Sequence, residues 1–205
     1  GTIASRVDYA TGAVIAKFTP TDMLQQLPEL QAIANIRSQL VTNLQSESIR
    51  PAHYNLLAKA IQQEITHKTD GIIITHGTDT LHYTAAALSF MLEHLNIPIL
   101  LVGAQRSSDR GSSDAFMNVL GAAQFIASTD YAGVSICMHS TTNDKSCIIL
   151  AGTKARKLHT SRRDAFRAVN TLPLAELNMQ TRQIVYFQTY TKQKEHPEKL
   201  QIKPF

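Results

Sequence analysis

The chain has 205 residues, of which 43% are hydrophobic and 18% are charged, and its formal net charge at pH 7 is +4. These proportions are ordinary for a globular protein, and the length is sufficient for one well-buried domain. No apolar run approaches the length of about 18 residues that a membrane-spanning helix needs, and the mild positive charge permits an acidic partner without requiring one.

The two cysteines, Cys137 and Cys147, form no CxxC motif, and the eight histidines are scattered along the chain. This pattern favours a reducing compartment and predicts no metal site, with a single disulfide as the open alternative. The chain begins at Gly1 without a methionine, which leads us to expect that part of the natural N-terminus precedes it.

The first third of the chain predicts short elements separated by polar loops. Apolar spacing and turn residues indicate a strand over residues 13–18, a helix that follows Pro20 and ends at Pro28, a strand over 32–41 and an amphipathic helix over 51–65. The last of these helices opens with a proline, a residue whose missing N–H costs no hydrogen bond at that position.

Residues 71–80 read Gly-Ile-Ile-Ile-Thr-His-Gly-Thr-Asp-Thr, and an apolar helical pattern follows them. This order predicts a buried strand, a tight turn and a helix start. Ligands of open α/β sheets bind at the carboxyl ends of strands, and free N–H groups at a helix start suit a carboxylate or an oxyanion. The simpler interpretation is that Thr78 or Thr80 only caps the helix.

The second half of the chain repeats this alternation. A strand over 99–103 leads into a polar turn over 104–111, after which Ser112 or Ser113 is expected to cap a helix. The apolar face expected for this helix consists of Phe116, Leu120, Ala123 and Ala127.

Three more strands are expected, over residues 133–138, 147–150 and 183–188, with a basic loop over 154–167. The charged, proline-containing tail from Lys192 indicates a linker. Strands that alternate with helices over most of the length predict a three-layer α/β domain with a mainly parallel sheet.

The chemistry of the chain has to come from its strand-end turns, since the motifs GxGxxG, GxxxxGK[ST] and GxSxG are absent. These turns are rich in Thr, Ser and Asp. A threonine hydroxyl becomes a nucleophile when a base takes its proton, and a lysine can act as that base where its surroundings favour the neutral form. The candidates for these roles are Thr2, Thr78, Asp79 and Lys157, which spacing alone does not distinguish from other threonines and lysines.

A basic cluster in the loop over 154–167 has the charge to contact RNA phosphates. It contains a single interleaved aromatic residue, Phe166, so a solvated surface is the favoured interpretation. The cluster consists of Lys154, Arg156, Lys157, Arg162, Arg163 and Arg167.

Two motifs resemble the two signatures of the asparaginase/glutaminase family. Residues 1–5, Gly-Thr-Ile-Ala-Ser, resemble the first, and residues 75–80, Thr-His-Gly-Thr-Asp-Thr, resemble the second almost letter for letter. The stretches 5–14, 103–110 and 156–166 are similar to one branch of the family, the D subunit of the archaeal glutamyl-tRNA(Gln) amidotransferase. The resemblance implies the N-terminal, large domain of the asparaginase fold.

The resemblance also implies a role for each matching residue. Thr2 would be the nucleophile that attacks the side-chain amide of glutamine. Thr78 and Lys157 would form the proton-transfer pair, and Asp79 would hold the α-amino group of the substrate. Lys154 is the open alternative to Lys157, which is preferred because the family pattern continues after it.

Three further positions match residues that bind the substrate in the family. Ser46 and Glu47 would hold the α-carboxylate and α-amino ends. Tyr9 would be the loop tyrosine beside the nucleophile, although its spacing from Thr2 is shorter than the family pattern leads us to expect.

The implied function is that of a glutaminase, which releases ammonia from L-glutamine so that the E subunit can convert Glu-tRNA(Gln) to Gln-tRNA(Gln). No cofactor is expected on this chain, whereas ATP and magnesium are expected on the partner subunit. A homodimer in the cytoplasm is expected. The alternatives are a free-standing L-asparaginase, whose substrate is shorter by one methylene, and a non-catalytic amino-acid- or RNA-binding module.

The resemblance divides the chain into a catalytic domain over residues 1–180 and a terminal strand and linker over 181–205. The linker would lead to a second domain, which in the family helps to complete the active site of a neighbouring subunit. The family also has a strand before Gly1, and its loss would expose a sheet edge and lower solubility.

Overall fold

The computed structural model describes residues 5–7, 14–16, 25 and 27–205. Within these ranges the α-helices are α1 (Pro51–Thr66), α2 (Leu81–Met91) and α3 (Ala115–Ala127), and the 3-10 turns are Pro28–Ala32, Ser46–Ser48 and Gly152–Lys154. The strands are β1 (Ser5–Val7), β2 (Val14–Ala16), β3 (Ile72–Thr75), β4 (Leu92–Glu93), β5 (Pro98–Val102), β6 (Gly133–His139), β7 (Ser146–Ala151), β8 (Ala155–Lys157), β9 (Phe166–Ala168), β10 (Ala175–Asn178), β11 (Ile184–Tyr186) and β12 (Gln201–Ile202).

A six-stranded sheet in the order β11-β10-β7-β6-β5-β3 forms the centre of the fold. β3, β5 and β6 are parallel neighbours, whereas the pairs β6–β7, β7–β10 and β10–β11 are antiparallel. β3, β5, β6 and β10 therefore run in one direction. Helices α1 and α2 cover one face and α3 covers the other, which confirms the predicted three-layer α/β class.

Strand β5 shows why the central strands read as continuous apolar runs. Ile99 and Leu101 pack into the core with α1 and α2, while Leu100 and Val102 pack into the core with α3. All four side chains are fully buried, and each contributes roughly 1.5–3 kcal/mol of stability by leaving water. The core on both faces therefore holds the carboxyl end of β5, and the turn that follows it, in a defined position.

The strand predicted over residues 32–41 is wrong. After the 3-10 turn at Pro28–Ala32, residues 34–45 form no regular element, and Leu40 is 63% exposed. The apolar residues are three and four positions apart, so they do not produce the alternating face that a half-buried strand needs. The side chain of Arg37 extends from this segment and binds Glu64 of α1, with Nη2 2.9 Å from Oε2.

The buried face of α3 differs from the predicted one. Phe116 and Leu120 are only half-buried and Ala127 is exposed, whereas Asn118 and Phe125 are fully buried. The buried face of α3 is hard to predict because it includes a polar residue, Asn118. Hydrogen bonds satisfy the side-chain amide of Asn118 in the interior.

Two segments near the end of the chain are more ordered than their composition indicates. The basic loop contains an antiparallel hairpin, β8–β9, and β10 is a further strand that the sequence does not predict. The tail runs along the same domain, since Lys192 forms a β-bridge with Tyr131 and β12 pairs with β4. The second domain expected beyond it stays a prediction.

Cys137 and Cys147 are both buried free thiols, so the alternative of a disulfide is not observed. A hydrogen bond with Cys147, together with burial, raises the pKa of the Cys137 thiol. Among the residues that the structure describes, no helix has the length and apolar character to cross a bilayer.

Candidate active site

Three chain segments meet at the carboxyl ends of β3 and β5. The turn after β3 contains Thr78 and Asp79, the turn after β5 contains Gln105, and β8 ends with Lys157. Because β3 and β5 are parallel neighbours, the two turns emerge at the same edge of the sheet. The hairpin β8–β9 then brings the lysine to them.

The hydroxyl of Thr78 lies at the centre of this arrangement, and the residue is 5% exposed. Its Oγ1 donates to Gln105 Oε1 at 2.9 Å and accepts from Lys157 Nζ at 2.8 Å. An ammonium group has donors only, so the threonine must accept from the lysine and its single proton must go to the glutamine.

Lys157 connects this hydroxyl to a carboxylate. Its Nζ lies 2.7 Å from Asp79 Oδ1, and the lysine side chain is 11% exposed whereas that of the aspartate is 66% exposed. Lys157 pairs in the hairpin with Phe166, which is fully buried and anchors the strand. The ammonium therefore joins a buried hydroxyl to a carboxylate that solvent can reach.

The close contact of the two strand-end turns depends on Gly103. A Cβ atom at this position would lie 2.7 Å from Thr78 Cγ2 and 3.1 Å from the backbone oxygen of His76. The absence of a side chain thus allows the β5 turn to pack directly against the β3 turn.

His76 holds the β3 turn against α2. Its Nδ1 lies 2.7 Å from the carbonyl oxygen of Gly77, and its Nε2 lies 2.9 Å from Thr84 Oγ1. Since a carbonyl only accepts, Nδ1 carries the proton and Nε2 accepts from the threonine. Burial lowers the pKa of His76 to about 4, so its ring is neutral near pH 7.

The interpretation that the two threonines only cap α2 is wrong. Thr80 is the residue before the helix, but its side chain makes no capping hydrogen bond and its hydroxyl donates to the carbonyl of Ser46 at 2.8 Å. The hydroxyl of Thr78 bonds to the side chains of Gln105 and Lys157 and does not cap the helix. The cap predicted for α3 is wrong as well, because the residue before this helix is Asp114 and its side chain makes no capping hydrogen bond. Ser113, one position earlier, accepts the N–H of Ala115 on its Oγ at 3.2 Å.

The predicted substrate-binding turn lies beside these residues. The bond from Thr80 joins it to the β3 turn at Ser46, which is 3% exposed, and Glu47 in the same turn is exposed. Thr2 and Tyr9 lie outside the described residues, so their assigned roles stay predictions.

The geometry distinguishes between the two candidate lysines. Lys157 contacts both Thr78 and Asp79, whereas Lys154 is exposed and lies in the 3-10 turn Gly152–Lys154, before the hairpin begins. Of the two, Lys157 has the contacts expected of the proton-transfer lysine.

Gln105 belongs to the site although sequence reasoning did not select it. Its Oε1 accepts from Thr78, and its backbone N–H donates to the fully buried carboxylate of Asp114 at 3.0 Å. Arg106 N–H donates to the same carboxylate at 3.0 Å. Its position in the polar turn after a buried strand was the one sequence feature that pointed to the site. A glutamine in a polar turn is too common to be identified as a site residue from that position alone.

Much of the basic cluster is neutralised within the chain. Arg162 and Arg167 both bind Asp164 Oδ2, at 2.7 and 2.6 Å, and Arg163 binds Asp144 at 2.6 Å. The hydrogen bond from Arg162, with the support of Arg167, lowers the pKa of Asp164 to about 2. These arginines thus organise the hairpin, which favours a structural role over contact with RNA phosphates.

The chain matches the family described as Asparaginase, N-terminal, over residues 1–192. It is 50% identical over 193 residues to the D subunit of a glutamyl-tRNA(Gln) amidotransferase from Methanococcus maripaludis, and 48% identical over 204 residues to the protein of the same name from Methanosarcina mazei. These alignments cover 94% and 100% of this chain but 46% and 47% of the relatives. The chain therefore spans about half the length of the curated relatives it matches.

Solved structures show the same fold. The L-asparaginase of Thermococcus kodakarensis superposes with a TM-score of 0.79 at 29% identity, over 100% of this chain and 58% of that one. A probable cytoplasmic L-asparaginase of Campylobacter jejuni superposes with a TM-score of 0.81 at 25% identity, over 94% of this chain and 57% of that one.

Proposed function

The chain belongs to the asparaginase family, as its N-terminal domain, and from this premise we propose that it is the glutaminase part of a glutamyl-tRNA(Gln) amidotransferase. Its substrate is L-glutamine and its product for the complex is ammonia. The observation that carries the proposal is the contact of one largely shielded lysine, Lys157, with both the Thr78 hydroxyl and the Asp79 carboxylate. A hydroxyl and an amine in direct contact are suited to passing a proton.

The proposed reaction proceeds through a threonyl ester. Thr2 Oγ forms a bond to the side-chain amide carbon of glutamine and gives its proton to the pair formed by Thr78 and Lys157. The carbon–nitrogen bond then breaks, and the nitrogen takes up a proton and leaves as ammonia. Water attacks the ester carbon, glutamate leaves, and the Thr2 hydroxyl is restored. A lysine accepts a proton only in its neutral form, so Lys157 has to give up one proton before it can take the proton of Thr2.

The charges of the site suit the ends of an amino acid. The Asp79 carboxylate is 66% exposed and can bind the α-amino group by a charge-assisted hydrogen bond. Ser46 and Glu47 lie in the adjoining turn, where they would bind the α-carboxylate and α-amino groups of the substrate. The Gly77–Thr78 turn precedes a helix, where backbone N–H groups can stabilise an oxyanion.

The partner and the location extend the proposal, and the names of the relatives support an amidotransferase complex. Identity is 48–50% to proteins named as amidotransferase subunits and 25–29% to the solved L-asparaginases. We infer that an E subunit uses ATP and magnesium to activate Glu-tRNA(Gln), that this chain binds no cofactor, and that the protein acts as a homodimer in the cytoplasm.

The second candidate is a free-standing L-asparaginase, which the similarity to the Thermococcus kodakarensis enzyme supports. The two substrates differ by one methylene, which a pocket distinguishes by only about 1–3 kcal/mol. The choice therefore has to be made by measurement.

Ammonia release by the full-length protein tests the proposal, with L-glutamine and L-asparagine assayed in parallel. Glutamine turnover should rise when the E subunit, ATP, magnesium and Glu-tRNA(Gln) are added. Asparagine turnover that ignores these additions would instead support the second candidate. Thr2→Ala should abolish turnover while Thr2→Ser retains part of it, and full activity of a folded Thr2→Ala protein would exclude the threonine mechanism.

A further inference from the structure

We propose that Gln105 is a positioning residue, which aligns the Thr78–Lys157 pair and determines where the Thr78 proton rests. The inference builds on the proposed function, because it concerns the proton-transfer pair of that reaction. Its basis is a bridge: the Gln105 side chain accepts from Thr78 Oγ1 at 2.9 Å and donates from Nε2 to the carbonyl of His159 at 3.3 Å. His159 follows Lys157 by two residues, so one amide joins the segments that carry the two members of the pair.

The hydrogen-bonding partners determine the orientation of this amide. Thr78 accepts from the ammonium of Lys157 and therefore has to donate its proton to an acceptor, which is Oε1. The carbonyl of His159 can only accept, so it faces the amide nitrogen. Both ends thus require the same orientation of Gln105, and a reversed amide would lose both hydrogen bonds.

A buried polar network holds the backbone of Gln105 in place. The carboxylate of Asp114, which is fully buried, accepts the N–H groups of Gln105 and Arg106. Asn118 lies next to it, with Nδ2 3.3 Å from Asp114 and 3.0 Å from the carbonyl of Gly103. The side chain of Gln105 therefore extends from a backbone that buried hydrogen bonds hold in place.

This arrangement affects the ease with which the pair gives up a proton. With Lys157 charged, Thr78 accepts from it and donates to Gln105. With Lys157 neutral, the Thr78 proton can turn toward Nζ, and Gln105 then loses its donor. The glutamine thus favours the charged state of the pair and keeps the hydroxyl and the amine in register for transfer.

The test replaces Gln105 in the full-length protein and measures glutamine turnover against pH. Gln105→Met removes both hydrogen bonds at similar volume. It should lower kcat by roughly tenfold to a hundredfold, since misplacement by about 1 Å is enough for such losses. KM should stay within about threefold because no substrate contact is removed. The pH at which kcat rises should move lower, because the charged state of the pair is less favoured.

Gln105→Glu provides the second variant. Its carboxylate still accepts from Thr78 but adds a negative charge beside Lys157, which favours the ammonium. The pH at which kcat rises should therefore move higher, in the direction opposite to Gln105→Met. A residue with only a structural role would not produce shifts of opposite sign.

Gln124→Met is the matched control, because Gln124 lies on α3 and donates to Ser128. It should leave kcat and its pH profile unchanged. Unaltered kcat and pH profiles in both Gln105 variants would overturn the inference, while wild-type turnover would leave the proposed function standing. A wild-type protein without turnover would overturn the proposed function together with the inference.

Discussion

Two lysine–aspartate ion pairs at different places in the molecule have almost the same length and very different surroundings. Lys157 Nζ lies 2.7 Å from Asp79, and Lys192 Nζ lies 2.8 Å from Asp130. The side chain of Lys157 is 11% exposed, whereas that of Lys192 is 66% exposed. The distance between the charges therefore does not distinguish the two pairs, and the burial of the lysine does.

Each pair also includes a hydroxyl, on opposite partners. In the candidate site, the hydroxyl of Thr78 contacts the lysine. At the tail, Tyr190 OH donates to Asp130 Oδ1 at 2.7 Å, and this hydrogen bond to Asp130 raises the pKa of Tyr190. At the tail, Lys192 and Tyr190 both keep their protons, and the pair fastens residues near Lys192 to the loop before β6. In the candidate site, Lys157 contacts the hydroxyl of Thr78, and these two groups can exchange a proton.

The largest expected effect separates the two lysines. Lys157→Met should lower kcat for glutamine by about 10³-fold, because removal of a proton-transfer group costs on the order of 10²–10⁴. Lys192→Met should leave kcat within about twofold, since an exposed pair far from the chemistry contributes little. Steady-state ammonia release by the full-length protein checks both.

Lys154→Met is the control for this comparison, because it removes a nearby lysine without removing a contact to Thr78. It should behave like Lys192→Met. A loss in Lys154→Met as large as that in Lys157→Met would contradict the assignment of the proton-transfer lysine.

The hydroxyls provide the next test. Thr78→Val keeps the shape of the side chain but leaves Lys157 and Gln105 without their shared partner, so kcat should fall by about 10²-fold. Thr80→Val removes only the bond to the Ser46 carbonyl and should raise KM by less than about tenfold. Equal effects of the two substitutions on kcat would mean that the β3 turn is sensitive to the loss of any hydroxyl. They would contradict the assignment of Thr78 to the proton-transfer pair.

The two aspartates should affect different measurements. Asp79→Asn is expected to raise KM for glutamine by about tenfold, because it weakens a charge-assisted contact with the α-amino group. Asp130→Asn should leave kcat and KM unchanged but speed amide hydrogen exchange in residues 191–194, which the tail pair fastens. Unchanged KM in Asp79→Asn would argue against substrate binding by this carboxylate.

The smallest effect concerns stability against pH at a third carboxylate, Asp164. Its pKa is lowered from 3.8 to about 2 in the folded state, chiefly by hydrogen bonding to Arg162, so the folded state binds fewer protons than the unfolded one between these values. Its contribution is therefore complete above about pH 4 and is lost as the pH falls toward 2. Urea unfolding should show the wild type more stable than Asp164→Asn at pH 6, with the difference shrinking below pH 4. A difference independent of pH would exclude the ionised pair as its cause.

Local pattern was sufficient for most of the fold. The continuous apolar run of β5 predicts a strand covered on both faces, and the proline-led pattern of α1 predicts its start, because burial and capping act through neighbouring residues. Pattern failed at residues 32–41, which pair with no strand among the described parts of the chain, and at α3, where distant partners allow Asn118 to be buried.

Residue order alone was enough to identify the family, most of the elements and the residue types of the site, including the Thr78-Asp79 turn. Folding in three dimensions is what brings Lys157 rather than Lys154 to Thr78, and what adds Gln105 to the set. These contacts join positions 79 and 27 residues apart. The direction of each hydrogen bond depends on which donors and acceptors meet, and the spacing of residues along the chain does not determine that meeting.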